Sequence, residues 1–233
     1  MEQKTDVEKI AFYCEKHLEL NTSANSDDYG YPILPLCVID AVFSIGVTYT
    51  STENVVNRFC AYFKIPNTFE NPPLSPDKTL SISEFIDLYD KNGISVMTEK
   101  VFQNRNRTSP RGGILKSEAV YLFSQALKSF NVDYLNDMDK VVGNPKFESA
   151  IKKIPGQASG ISLRYFYMLA GDKNYIKPDR MIMRFIEHVI GKKPSIEEAT
   201  NLIIETCSLL NQAHPKLSPR KLDNLIWNYQ RES

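Results

Sequence analysis

Apolar residues recur at helical spacing along most of the chain, and polar or proline-bearing stretches separate the runs. Val7, Ile10, Ala11, Cys14 and Leu18 predict one face of a helix over residues 6–20. The stretch 21–34, NTSANSDDYGYPIL, reads as a loop. LPLCVIDAVFSIGV follows and is apolar almost all round, which predicts a central, buried helix. TSTENVVNRFCAYF opens with a capping-box pair, Thr50 and Glu53, and continues as an amphipathic helix. The proline-rich segment 67–79 breaks the pattern, and SISEFIDLYDKN predicts a short helix closed by Gly93. Further helices are predicted at about 117–129, 134–141, 145–154, 161–170 and 179–190. Two more follow, one starting at a Ser195–Glu198 capping box and one with Ser218 as N-cap and Pro219 as first helical residue. No alternating run bounded by a two-residue turn stands out, so the expected class is all-α.

One stretch asks for more than packing. Residues 153–185 read KIPGQASGISLRYFYMLAGDKNYIKPDRMIMRF: a helix end, a Pro-Gly turn, a helix, a loop, then Asp179 behind Pro178 at another helix start. Pro155 cannot continue a helix, and Gly156 can take positive φ. A short link of small residues (Ala158, Ser159, Gly160) leaves amides at the next helix start without partners, and such amides suit one phosphate. The same residues also make an ordinary αα-corner, and Asp179 also reads as a helix cap.

Composition narrows the chemistry. Hydrophobic content is 42% and 28 basic residues balance 28 acidic ones, so the chain is globular and any nucleic-acid contact must come from locally concentrated cations. The segment 101–117 is such a place: it carries Arg105, Arg107, Arg111 and Lys116 and no acid. It also reads as a solvated surface loop. The four cysteines (Cys14, Cys37, Cys60, Cys207) and three histidines (His17, His188, His214) lack metal-ligand spacing and sit apart, so buried free thiols are expected, with no metal and no cofactor. Phosphate-loop, dinucleotide and nucleophile-elbow motifs do not occur. The N-terminus reads as no signal peptide and no apolar run reaches 18 residues, from which an intracellular, cytoplasmic location away from membranes is expected.

Ile154-Pro155-Gly156 followed by Asp179, Ile182 and Arg184 resembles the helix-hairpin-helix (HhH-GPD) DNA glycosylase superfamily, which includes endonuclease III and the adenine and alkyladenine glycosylases. VIDAVFSIGVTYTSTENVVNRF is similar to that family's first core helix and turn, GILKSEAVYLFSQAL to the segment where Lys116 opens a helix beside the DNA backbone, and KLDNLIWNYQRE to its closing helix. The resemblance implies a two-lobed helical fold with a DNA cleft between the lobes. Residues 1–34 and 161–233 would form one lobe and 35–160 the other, ending in the hairpin. It implies a monomer acting on double-stranded DNA that carries a damaged or modified base.

The resemblance gives Asp179 the catalytic position, and Gly156, Ala158 and Gly160 the hairpin that grips the backbone. Arg105, Arg107, Arg111 and Lys116 would add cations. Asp40 would line the base pocket or cap a neighbouring helix; Tyr49 would stack on a base or sit in the core. The implied activity is release of an extruded base by Asp-assisted hydrolysis of the N-glycosidic bond, leaving an abasic site. The family's second hairpin glycine is Ala158 here, and Gly160 stands where lyase members carry lysine, which implies no strand cleavage. Gly46 falls near the residue that fills the hole left by the base, and the iron–sulfur cysteines are missing. With these departures the same fold also fits a catalytically silent module that binds altered DNA.

Overall fold

The computed structural model describes residues 4–21, 30–67 and 79–232. Most of the loop expected over 21–34 and of the proline-rich break over 67–79 lies outside the described residues. Among the described residues the chain is all-α. In order it forms α1 (Asp6–His17), α2 (Leu34–Phe43), α3 (Tyr49–Phe63), α4 (Ile82–Val96), a π-helical turn (Met97–Val101), α5 (Lys116–Ser129), a 3-10 segment (Leu135–Lys140), α6 (Pro145–Lys152), α7 (Ile161–Leu169), α8 (Arg180–Ile190), α9 (Ile196–Leu210) and α10 (Pro219–Glu232). Among the described residues no sheet forms, and one isolated antiparallel bridge joins Arg107 and Leu115. Among the described residues no helix is long and apolar enough to cross a membrane.

The chain divides into two units: Met1–Tyr29 with Gly171–Ser233, and Gly30–Ala170. The divisions fall near residues 29 and 170, where the sequence reading placed them at 34 and 160.

In the unit Gly30–Ala170, α2 is central. Every one of its 10 residues is buried, and α3, α4, α5 and α7 pack around it. A helix that is apolar on all sides must be covered on all sides. An aromatic cluster fills one flank, with Phe43 and Phe102 ring centroids 5.1 Å apart and Phe59 and Phe85 5.4 Å apart. Full burial of each such ring stabilises by about 1.5–3 kcal/mol. Helix α4 starts at a capping box, in which the Glu84 amide donates to Ser81 Oγ and the Glu84 carboxylate accepts from the Ser81 amide. Its regularity breaks at Gly93, which takes φ 79° and ψ 153° where the sequence predicts a stop. The chain then resumes helically and ends in the π-helical turn, with the Phe102 amide on Met97 O at 2.8 Å. Helix α3 corrects one expectation. It begins at Tyr49 with Thr48 as N-cap, so Thr50 lies inside the first turn and does not cap.

In the unit of the two chain ends, α1, α8, α9 and α10 share one core built from Ile10, Cys14, Ile182, Phe185, Ile203, Cys207, Leu222 and Ile226. Helix α8 buries Ile182, Phe185 and Ile186 only, so it offers one narrow stripe to this core. The expected caps of α9 and α10 are present: the Glu198 amide donates to Ser195 Oγ and the Lys221 amide to Ser218 Oγ, both at 3.1 Å. Across both units the four cysteines are buried and form no disulfide. Burial pushes the Cys14 thiol up to about 12 and those of Cys60 and Cys207 up to about 11, so these groups pack as small hydrophobes.

Candidate functional site

The link between α6 and α7 is a tight hairpin. Gln157 N donates to Ile154 O at 2.9 Å and Gly160 N to Gln157 O at 3.0 Å, so two successive turns reverse the chain. Gly156 and Gly160 sit at φ 83° and 72°, while Ala158 is not among the residues of positive φ. An ordinary L-residue therefore fits at position 158 without strain. The side chain of Gln157 is buried, and its Oε1 accepts from the buried Ser162 hydroxyl, which fastens the turn to the start of α7. Pro155, Gly156, Ala158 and Ser159 are exposed, and the amides of Gly156, Ala158 and Ser159 have no acceptor among the described residues. At Gly160, an added Cβ would meet Lys152 Cε at 3.1 Å.

The basic segment is no open loop. Thr108 N donates to Ile114 O and Lys116 N to Asn106 O, both at 2.9 Å, and Ile114 N returns to Thr108 Oγ1 at 3.2 Å. These bonds make a short ribbon whose tip spans 109–113. The tip closes tightly: Ser109 Oγ donates to Arg111 O at 2.7 Å, and a Cβ on Gly113 would lie 2.4 Å from Ser109 N. Hairpin and ribbon meet, because a Cβ on Gly156 would lie 2.5 Å from both Thr108 Cβ and Thr108 Oγ1. The structure thus brings the turn amides and the arginine-bearing ribbon onto one surface of the unit Gly30–Ala170.

The four cations fare differently on that surface. Arg111, at the tip, is exposed and makes no side-chain bond with the described residues. Arg107 is exposed and donates through Nε to Gly113 O at 2.9 Å, bracing the ribbon. Arg105 forms a two-pronged pair with Glu99, with Nε–Oε1 2.7 Å and Nη2–Oε2 2.8 Å. Lys116 corrects the sequence reading most clearly. It is buried at 2% exposure, and Nζ donates to Phe43 O at 2.8 Å and Ile45 O at 2.7 Å. The last carbonyls of a helix lack partners of their own, and a buried ammonium at the end of α2 satisfies them. Its place is inside the fold and not on a phosphate.

Asp40 lies in the middle of α2 at 2% exposure and accepts the Tyr31 hydroxyl through Oδ2 at 2.8 Å. Its backbone carbonyl accepts the Ser44 amide at the end of α2. Tyr49 is 43% exposed at the start of α3, so it is not a core tyrosine. Gly46 takes φ 72°, and a Cβ there would meet nothing within 4 Å.

Asp179 belongs to the other unit. It is the N-cap of α8, half-buried, with an extended backbone. Oδ1 accepts the amides of Met181 at 2.8 Å and Ile182 at 3.4 Å. Oδ2 accepts no hydrogen bond from the described residues. Arg184 does not turn to it; its Nε reaches Gln230 Oε1 and its Nη2 Gln230 O, both at 2.6 Å, tying α8 to the end of α10.

A second carboxyl stands near, and sequence reading missed it. Asp223 of α10 is buried, and its Oδ2 accepts the Lys177 amide at 2.9 Å. Burial pushes this carboxyl up to about 8; the Lys177 amide opposes that, and the negative charge of Asp179 adds to it. The only sequence signal was an Asp within the apolar pattern KLDNLIWNY.

The family described as "Domain of unknown function (DUF8548)" matches residues 8–231. No curated protein and no solved structure matches the chain.

Proposed function

The chain belongs to the DUF8548 family, and we propose that it is a monofunctional DNA glycosylase with the two-lobed architecture of the helix-hairpin-helix glycosylases. One observation carries the reading. Asp179 has a carboxylate with one oxygen fixed by two backbone amides and the other uncommitted. A group held in that way is oriented before any substrate arrives, which is what charge stabilisation in a transition state requires.

The DNA would be gripped at the surface where hairpin and ribbon meet. The exposed amides at 156, 158 and 159 donate to a phosphate, and Arg111 and Arg107 supply charge beside them. The target nucleotide is extruded from the duplex. As the bond from C1′ to the base nitrogen breaks, its electron pair leaves with the base, and positive charge grows on the sugar. The free oxygen of Asp179 stabilises that charge and takes a proton from the water that adds to C1′. The product is an abasic site on an intact strand, since glycine at position 160 offers no amine for an imine.

The test is direct. Duplexes carrying deaminated, oxidised, alkylated or bulky modified bases are incubated with the protein, and alkali then cuts wherever a base is lost. The reading predicts cleavage after alkali only, with one class of substrate. A second reading, a silent module that binds altered DNA, is favoured by the cap that Asp179 already provides to α8. It predicts salt-dependent duplex binding with no alkali-sensitive site on any substrate.

A further inference from the structure

We propose that Asp223 is a positioning residue for Asp179, clasping from α10 the turn Lys177-Pro178-Asp179 that presents the catalytic carboxylate. The role in catalysis rests on the glycosylase reading; the clasp itself rests on three hydrogen bonds. Asp223 Oδ2 accepts the Lys177 amide at 2.9 Å. The Lys177 carbonyl accepts the Asp179 amide at 2.6 Å. Asp179 Oδ1 then accepts the Met181 amide at 2.8 Å. One chain of bonds therefore runs from α10 through the Lys177 peptide into the cap of α8. Pro178 is buried within it and has no amide to compete. A second contact fixes the same loop to the start of α10, the Arg220 amide donating to Lys173 O at 3.1 Å.

The surroundings of Asp223 settle its charge. Lys177 and Asp179 are the charged groups whose fields reach it from the loop and from α8. On α10 itself Arg220 is buried one turn earlier. The buried faces of α8 (Ile182, Phe185, Ile186) and α9 (Ala199, Thr200, Ile203, Thr206, Cys207, Leu210) bring no charged side chain. Burial holds the carboxyl up at about 8, so near neutrality Asp223 carries a proton. A neutral clasp keeps the backbone in place without a second anion competing for the sugar's developing positive charge.

The experiment is amide NMR of the full chain between pH 5 and 9.5, for the wild type, Asp223→Asn and Asp223→Leu. Asn keeps an acceptor for the Lys177 amide and cannot ionise; Leu removes the acceptor. Expected in the wild type is a joint titration of the Lys177 and Asp179 amides, with a midpoint near 8 that vanishes in Asp223→Asn. Asp223→Leu should shift the Asp179 and Met181 amides at every pH, whereas Asp223→Asn leaves them near their wild-type positions below pH 7. Amides at 179 and 181 that ignore both substitutions would overturn the clasp. If Asp223→Leu does not fold, the wild type against Asp223→Asn decides alone, since a titration that survives in Asn cannot come from residue 223. No base release is needed for this readout: coupled titration in a protein that releases no base keeps the clasp and rejects the glycosylase. Where base release is found, Asp223→Leu should lower its single-turnover rate roughly tenfold with DNA affinity unchanged, and Asp223→Asn should restore it.

Discussion

Gly156 lies so close to Thr108 that a Cβ at position 156 would come within 2.5 Å of that side chain. The same glycine sits at φ 83°, so both backbone conformation and space exclude a larger residue. Gly156→Ala should therefore cost about 1–3 kcal/mol in thermal or denaturant unfolding and weaken duplex binding, because hairpin and ribbon can no longer close on each other. Ala158→Gly, two residues on, should change stability by less than about 1 kcal/mol, since Ala158 already has an unstrained backbone.

Two cations of the basic segment should separate cleanly by assay. Lys116→Met leaves the carbonyls of Phe43 and Ile45 without their buried donor. The expected cost is about 1–3 kcal/mol for each orphaned group, read as a lowered unfolding midpoint. Arg111→Ala, at the exposed tip, should leave unfolding unchanged. It should instead reduce the slope of log affinity against log salt by about one, the signature of a single lost phosphate contact.

Stability should fall as pH rises through neutrality, in a way traceable to one residue. Folding raises the Asp223 carboxyl from 3.8 to about 8, so between those values the folded chain keeps a proton that the unfolded chain has lost. Each pH unit in that window then removes up to about 1.4 kcal/mol of stability, and the loss levels off above pH 8. Asp223→Asn should flatten the profile between pH 5 and 8, measured by urea unfolding at successive pH values.

Much of this was legible in the sequence because the signals are local. The all-apolar run of α2, the capping box at Ser195, the Pro after Ser218 and the glycine that interrupts α4 each act within a turn or two of their own position. What escaped depends on distant partners. Lys116 looks like a surface cation until the end of α2 and the turn after it, 71 to 73 residues away, supply its carbonyls. The ribbon over 106–116 is closed by few bonds and carries no alternating pattern. Arg105 reads as free because Glu99, its partner, lies just outside the acid-free stretch. Asp223 is invisible as a site residue because its partner is a backbone amide 46 positions earlier. Asp179 was found for two reasons at once, its cap and its spacing from the hairpin; the cap is present, and the spacing is what motivates the proposed chemistry.

In the proposed reaction the carboxylate of Asp179 drives loss of a base. Asp179→Asn is the decisive variant, because asparagine caps a helix about as well as aspartate and keeps α8 intact. The measurement is the single-turnover rate of alkali-sensitive site formation on a modified duplex, for the wild type and Asp179→Asn, with duplex affinity measured alongside. Expected are equal affinity, equal thermal stability within about 1 kcal/mol, and a rate at least about 100-fold lower in the variant. A variant that releases the base as fast as the wild type, or a wild type that releases none from any modified duplex, would contradict it.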